Sequence, residues 1–221
     1  MASIIDLSYI PKSAKKVLEN LSNTSFIRNY TLVGGTALSL QIKHRLSEDL
    51  DFIFDGETLN INIIKRNIHK LFSDYRIIKQ DYNYQIDFII EQTKVAFFSS
   101  GAILIPFSVK KHSFNYKNIN IATIDIIACL KFSAIAQRNT IRDYYDLYFI
   151  SKYYSNLNDI IKKTKKFLPE LSPITYTETL IYTNDIQEND ISNHLCPKEK
   201  ITKQEISEYF IKELKKIIKN I

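Results

Sequence analysis

The first half of the chain mixes helical and strand-like patterns of apolar residues. In residues 11–21, Ala14, Val17, Leu18 and Leu21 recur three or four positions apart, which predicts a helix with one buried face. Further helices are predicted over residues 36–43 and 59–72. Alternating or β-rich runs predict strands over residues 30–33, 49–54, 75–78, 84–90, 94–98 and 103–107.

The second half shows helical patterns only. Apolar spacing predicts helices over residues 123–137, 142–154, 158–167, 176–182 and 203–219. Outside the short 176–182 run, residues 173–197 are polar and irregular. From this change of pattern we predict an α+β fold, with a mixed sheet flanked by helices in residues 1–118 and a helical bundle in residues 119–221.

Composition and charge narrow the class of protein. The 221 residues are 45% hydrophobic and 24% charged, as in ordinary globular proteins. The formal net charge of +6 is compatible both with a polyanionic partner and with an ordinary mixed surface. Two cysteines, Cys129 and Cys196, form neither a disulfide framework nor a zinc spacing. Because no signal peptide or membrane-spanning run is visible, we expect a cytoplasmic protein without a membrane partner.

A glycine pair follows the first predicted strand. Gly34 and Gly35 precede Thr36, where we expect a helix to begin. Glycine lets the backbone turn sharply and lets a phosphate approach it, and the free N–H groups of a helix N-terminus suit a triphosphate. The Thr36 hydroxyl could cap this helix or bind a phosphate. For this motif alone, a purely structural turn is the alternative.

Two carboxylates follow one helix later. Asp49 and Asp51 are two residues apart in a predicted strand, so their side chains share one face. Like charges this close are unfavourable unless they are neutralised, and two Mg²⁺ ions would neutralise them and support in-line displacement at phosphorus. An isolated Asp-x-Asp is more typical of a solvated strand end. Its position after the glycine pair favours the metal site.

Asp87 is a candidate for a third carboxylate. It lies in the predicted strand over residues 84–90, on the polar face of that strand. If this strand lies beside the Asp49 strand, Asp87 becomes a metal ligand and the best candidate for the general base. A solvated strand face is the equally weighted alternative.

Charged residues also interrupt the apolar helices of the second half. Lys131 lies in an apolar helical run, and a lysine in that position must reach water or an anion such as the phosphates of an NTP. Asp143 is placed to cap the next helix, in which Asp146 also lies. The pattern alone favours a structural over a catalytic role for Lys131 and Asp146.

Two strings of residues resemble the AbiEii toxin family, which includes the MenT-type toxins and belongs to the DNA polymerase β-like nucleotidyltransferase superfamily. The first string is Gly-Gly-Thr-Ala-Leu from Gly34, followed by His-Arg-x-Ser-x-Asp-x-Asp-Phe over residues 44–52. The second is Lys131 followed by Arg-Asp-Tyr-Tyr-Asp-Leu-Tyr over residues 142–148. The resemblance implies a nucleotidyltransferase fold for the sheet of residues 1–118.

The resemblance also implies roles for individual residues. Those implied to bind the nucleotide are Gly34, Gly35, Thr36, Ser47, Lys131 and Asp143. Those implied to act in catalysis are Asp49, Asp51, Lys131 and Asp146, with Asp49 and Asp51 as metal ligands. Asp87 is a further candidate for both roles, because it lies on the polar face of its predicted strand. Gly35 stands where many superfamily members have Ser, and Thr36 is the candidate to replace that hydroxyl.

The implied activity is transfer of a nucleoside monophosphate from an NTP to an acceptor, with release of pyrophosphate. Mg²⁺ is the expected metal, with Mn²⁺ as a second candidate. Members of the family serve as toxins of bacterial toxin–antitoxin or phage-defence pairs, and some modify the acceptor end of tRNA. We therefore expect an RNA acceptor, tRNA above all, and a separate antitoxin protein. A transferase acting on a small molecule such as an antibiotic, one acting on a protein, and a nucleotide-binding module without catalysis remain as alternatives.

Overall fold

The chain divides into two units, Met1–Thr123 and Ile124–Ile221, in a computed structural model that describes residues 5–219. The predicted join at 118/119 falls just before a strand, Ile119–Ala122, which pairs with other strands of the first unit. The sequence pattern assigns these four residues to the helical half, because their short apolar run gives no indication of its distant partner.

The first unit contains one mixed sheet, as predicted. Its strands are β1 (Tyr30–Val33), β2 (Leu50–Phe54), β3 (Tyr75–Asp81), β4 (Gln85–Ile90), β5 (Thr93–Ser99), β6 (Ser113–Tyr116) and β7 (Ile119–Ala122). Their order across the sheet is β3-β4-β5-β2-β1-β7-β6. The pairs β1–β7 and β2–β5 are parallel, and the other neighbours are antiparallel.

Three α-helices accompany the sheet among the described residues of this unit. They are α1 (Lys12–Ser22), α2 (Gly34–Ile42) and α3 (Ile61–Leu71). The predicted face of α1 is buried at Ala14, Val17, Leu18 and Leu21. Helix α3 begins after Asn60, whose side chain accepts a hydrogen bond from the Ile63 N–H and so satisfies one free donor of the first turn.

The predicted strand over residues 103–107 is wrong. A 3₁₀ turn covers Gly101–Ile103, and Leu104 then adopts a left-handed backbone with φ 52°. Pro106 has no N–H with which to join a sheet, so this apolar run buries Ile105 without forming a strand. The hairpin of β6 and β7 was not predicted, because β6 is only four residues long and includes the polar residues Ser113 and Asn115.

The second unit is helical, which confirms the predicted bundle. Its helices are α4 (Ile124–Gln137), α5 (Ile141–Tyr153), α6 (Leu157–Phe167), α7 (Glu178–Ile181) and α8 (Lys203–Lys219). The predicted helix over residues 176–182 is shorter, since Thr177 has non-helical backbone angles and a 3₁₀ turn, Pro173–Tyr176, precedes it. None of the helices within residues 5–219 is both long and apolar enough to cross a bilayer.

Stacked aromatic rings fix the centre of the sheet. Phe52 of β2 stacks on Phe97 of β5 with centroids 5.3 Å apart, and Phe88 of β4 meets the same ring edge-on at 6.3 Å. Side chains alternate between the faces of a strand, so residues next to these phenylalanines point away from this core. Asp51 and Asp87 are two such residues.

Candidate active site

The turn from β1 into α2 lies directly against a carboxylate. Gly34 begins α2 with φ +72°, a backbone conformation that residues other than glycine rarely adopt. A Cβ atom at Gly34 would lie 2.9 Å from Oδ2 of Asp51. Both the backbone angle and the lack of space therefore require glycine, and the first turn of α2 approaches the Asp51 carboxylate closely.

Strand register brings these two motifs together. Strands β1 and β2 are antiparallel, and Val33 at the end of β1 pairs with Asp51 near the start of β2. The residue after Val33 is Gly34, so the helix must begin beside Asp51. Asp49 immediately precedes β2.

The side chain of Thr36 connects α2 to Asp49. Thr36 is buried, and its hydroxyl donates a hydrogen bond to the backbone carbonyl of Asp49. The sequence predicted a helix cap or a phosphate contact for this hydroxyl. In the structure the N-cap position of α2 is Val33, so Thr36 does not cap the helix and its hydroxyl contacts the segment that carries Asp49, while the phosphate contact stays a prediction.

Arg45 and Ser47 occupy the space beside Gly35. A Cβ atom at Gly35 would lie 2.6 Å from Nη2 of Arg45 and 2.9 Å from Oγ of Ser47. Arg45 is only 3% exposed, and its Nη1 donates to the Leu46 carbonyl at 2.9 Å. A serine in place of Gly35 would displace this guanidinium. Sequence reasoning did not single out Arg45; its only signal was its place in the string that contains Ser47, Asp49 and Asp51.

Asp87 lies in the same row of the sheet as Asp51. Ala96 of β5 pairs with Asp51 on one side and with Asp87 on the other, so the three side chains share a face. Two strand spacings separate the Cα atoms of the aspartates by roughly 10 Å, with only a methyl group between their side chains.

The Asp87 carboxylate has its own partners. Gln85 Nε2 donates to Asp87 Oδ1 at 2.8 Å, and Lys94 Nζ lies 3.3 Å from Asp87 Oδ2. Over residues 5–219, no three His, Cys, Asp or Glu side chains are grouped closely enough to hold a metal ion. The roles of Asp87 as third metal ligand and general base therefore stay predictions.

The second unit contains a buried cluster of charges. Nζ of Lys131, from α4, lies 2.7 Å from Asp143 Oδ1 and 2.6 Å from Asp146 Oδ2, and Lys131 is 5% exposed. Asp143 also accepts hydrogen bonds from Arg138 Nε at 2.9 Å and from Thr140 Oγ1 at 2.6 Å. The two aspartates are three residues apart on α5 and so share one side of the helix.

The helix cap predicted at Asp143 is not formed. The N-cap of α5 is Thr140, and Asp143 lies in the first turn, where its carboxylate receives the Thr140 hydroxyl. Burial by itself would raise the pKa of Asp143, but the charges of Lys131 and Arg138 outweigh it and lower the pKa to about 2. Asp143 is therefore ionised at neutral pH and holds Lys131 in place.

Comparison with known proteins shows which family the chain belongs to. The model of the AbiEii nucleotidyl transferase toxins, described as belonging to a type IV toxin–antitoxin system, matches residues 16–171. This range includes both strings of candidate site residues. An uncharacterised protein of Aquifex aeolicus is 31% identical over 205 residues, which cover 90% of this chain and 97% of that protein.

Two solved structures resemble the chain to different degrees. The protein JHP933 of Helicobacter pylori is 19% identical, with a TM-score of 0.50 over 95% of this chain and 93% of its own. The nucleotidyltransferase toxin MenT4 of Mycobacterium tuberculosis is 11% identical, with a TM-score of 0.45 over 75% of this chain and 73% of its own. Since the family model covers more than half of the sequence, the chain belongs to the AbiEii family of nucleotidyltransferase toxins.

Proposed function

We propose that this nucleotidyltransferase moves a nucleoside monophosphate from an NTP to an RNA acceptor, with tRNA as the expected class. We propose further that it acts as the toxin of a toxin–antitoxin or phage-defence pair with a separate antitoxin protein. The observation that carries the transfer activity is the close approach of Gly34 to Asp51. It puts a helix N-terminus, which favours anions, beside carboxylates, which favour cations, as a metal–NTP complex requires.

The residues present fit a hard divalent cation. Asp49 immediately precedes β2 and Asp51 lies near its start, so both carboxylates belong to one short segment, and Mg²⁺ in proteins is held by one or two carboxylates together with substrate phosphates. When bound, Mg²⁺ or Mn²⁺ would polarise the phosphate oxygens as a Lewis acid. Asp87 is the candidate for a third ligand from the same row of the sheet.

The triphosphate is proposed to bind at the first turn of α2. Gly34, Gly35 and Thr36 supply backbone N–H groups there, and Ser47 supplies a hydroxyl beside Gly35. The buried guanidinium of Arg45 adds a full positive charge at the same turn. Arginine suits phosphate because its planar donors can form two parallel hydrogen bonds.

The proposed reaction is an in-line displacement. The acceptor hydroxyl attacks the α-phosphorus, the bond from that phosphorus to the bridging oxygen of the β-phosphate breaks, and pyrophosphate leaves. The hydroxyl proton passes to a carboxylate, for which Asp87 is the candidate because it faces the same side of the sheet as Asp51. We assign the base by its position rather than by its pKa, since a base must lie within reach of the proton it takes.

Lys131 and Asp146 belong to the second string that resembles the family, and we propose that both act on the bound nucleotide. Their contacts within the second unit support a defined position for the Lys131 ammonium, which Asp143 and Asp146 hold by hydrogen bonds of 2.7 and 2.6 Å. A fixed ammonium can bind a phosphate without first losing side-chain freedom. The alternative is that the cluster only stabilises the bundle.

Labelled nucleotides test the proposal directly. Each of the four NTPs, labelled at the α-phosphate, is incubated with the protein, Mg²⁺ and a total cell extract, and the label is followed into RNA, protein and small molecules. We expect label in RNA, lost with Asp51→Asn and kept with Asp74→Asn, a control that changes an exposed aspartate outside the site. Label in protein or in a small molecule, and none in RNA, would refute the RNA acceptor; no transfer at all would refute the enzyme.

A further inference from the structure

The end of α5 opens into an aromatic cleft within the second unit. The cleft has a volume of about 610 Å³ and is lined by Phe149, Tyr153, Tyr154, Lys198 and Glu199. Phe149 is buried, whereas Tyr153 and Tyr154 are 52% and 49% exposed. Aromatic side chains normally bury most of their surface, so two half-exposed rings at one site indicate a binding surface.

The rings of this cleft are held in place. The centroid of Phe149 lies 4.8 Å from that of Tyr153 and 6.4 Å from that of Tyr154. The Tyr153 hydroxyl donates to Glu199, and Lys152 Nζ lies 2.9 Å from the same carboxylate. A ligand that packs against Tyr153 therefore finds the ring already positioned, which reduces the entropy lost on binding.

Positive charge surrounds these rings. Lys198 Nζ lies 6.0 Å from the Phe149 centroid, and Lys152 Nζ lies 5.0 Å from that of Tyr153. The single acidic residue of the cleft, Glu199, is occupied by Lys152 and also accepts a hydrogen bond from Tyr148 at 2.7 Å. The net charge of these two lysines and one carboxylate is positive, which favours a ligand that carries negative charge.

Exposed aromatic faces beside lysines are the features with which proteins bind single-stranded nucleic acid, because every base can stack on a ring while the backbone phosphates contact the cations. We propose that the aromatic cleft binds unpaired bases of the acceptor RNA, with stacking on Tyr153 and Tyr154 and a phosphate contact at Lys198. This inference rests on the proposed function, from which it takes RNA as the acceptor. It adds the place where the RNA binds.

The cleft lies on the same side of α5 as the candidate catalytic Asp146. Asp146, Phe149 and Tyr153 are spaced three and four residues apart, so they form one stripe along the helix. At 1.5 Å per residue, Tyr153 is roughly 10 Å along the axis from Asp146. The cleft therefore lies about two helical turns from a residue of the family string.

The experiment measures binding without catalysis. A fluorescently labelled single-stranded oligoribonucleotide is titrated with the protein in the absence of NTP, and the anisotropy is followed for wild type, Tyr153→Leu, Tyr154→Leu and Tyr153→Phe. Since stacking is worth about 1–3 kcal/mol per base, each leucine variant should bind roughly 5- to 140-fold more weakly. Tyr153→Phe keeps the stacking surface and loses only the hydroxyl that bonds Glu199, so it should lose clearly less affinity than Tyr153→Leu.

Salt dependence separates stacking from charge. The leucine variants should lose affinity at every salt concentration with an unchanged slope of log affinity against log salt, whereas Lys198→Gln should flatten that slope. Tyr182→Leu is the matched control, since Tyr182 is 50% exposed in the same unit but lies outside the cleft. A blunt RNA duplex should bind more weakly than the single strand, because its base faces are covered.

The outcomes distinguish this inference from the proposed function. If wild type binds the oligonucleotide and both leucine variants bind it equally well, the cleft is not the binding site, although RNA remains the acceptor. If wild type binds no RNA and its label enters protein or a small molecule, the proposed acceptor fails and the inference fails with it. Circular dichroism melts verify folding of each variant, and Lys198→Gln, a change at an exposed side chain, keeps the test valid should a leucine variant unfold.

Discussion

Replacing Lys131 by methionine tests the buried charge cluster. From the sequence, methionine suits the apolar helix around position 131 and should be tolerated. In the structure, the substitution removes the ammonium from Asp143 and Asp146, whose side chains are almost completely buried. Because the substitution breaks two buried ion pairs at once, we expect a loss of about 3–5 kcal/mol in the free energy of unfolding.

This magnitude is large enough to measure in two ways. In a chain of this length, about 1 kcal/mol changes the melting temperature by roughly 2–4 °C, so the expected decrease is on the order of 10 °C. Urea unfolding followed by circular dichroism gives the free energy directly. The control is Lys212→Met, which replaces an exposed lysine of α8 and should change stability by less than about 0.5 kcal/mol.

A second substitution identifies the cause. The double variant Lys131→Met, Asp146→Asn also removes the charge of one of the two carboxylates that contact Lys131. It should recover part of the lost stability, since a neutral amide is easier to bury than a carboxylate. If Lys131→Met unfolds within about 0.5 kcal/mol of wild type, the cluster does not stabilise the bundle and the reasoning is refuted. If stability falls while NTP affinity of the folded protein is unchanged, Lys131 is structural and its proposed phosphate contact is wrong.

Three further predictions concern the carboxylates and the glycine turn. Asp49→Asn or Asp51→Asn should abolish nucleotidyl transfer in the labelled-NTP assay while the protein stays folded, because both carboxylates lie outside the apolar core; full activity with Mg²⁺ would contradict the metal site. Gly34→Ala should destabilise the first unit by at least about 1 kcal/mol, since it places a Cβ atom 2.9 Å from Asp51 in a left-handed backbone; an unchanged urea midpoint would contradict this. Asp143, with its pKa lowered to about 2, should contribute about 2 kcal/mol of stability above pH 4 that disappears as the pH falls to 2. Arg138→Gln should reduce that acid-dependent loss, and an identical stability profile from pH 5 to 2 would show that Arg138 does not lower this pKa.

Local patterns in the sequence were sufficient for most of the helices and for the motifs. Apolar residues in α1 and α8 recur with the period of a helix, so the buried face of α1 and the bounds of α8 could be predicted from neighbouring residues alone. The mixed sheet and the helical second half were likewise predictable from the change of apolar pattern along the chain, and the family was predictable from two short strings of residues. None of these conclusions needs a contact between residues far apart in the chain.

Tertiary structure decided how the predicted residues meet. The pairing of Val33 with Asp51, which puts Gly34 against a carboxylate, depends on strand register, and the row that joins Asp51 to Asp87 depends on β5 lying between β2 and β4. Neither follows from local spacing, because strand order is set by which apolar faces pack together across the whole sheet. Arg45 filling the space beside Gly35 is a contact of the same kind.

The charges show the same division. The sequence indicated that Lys131 needed an anion, because a lysine in an apolar helix must be neutralised or reach water. Only the packing of α4 against α5 determined that Asp143 and Asp146 lie within 2.7 Å of its ammonium. Composition and periodicity thus specify what each side chain requires, whereas the folded chain determines which residue meets that requirement, since a partner is chosen by distance in space and not by distance along the chain.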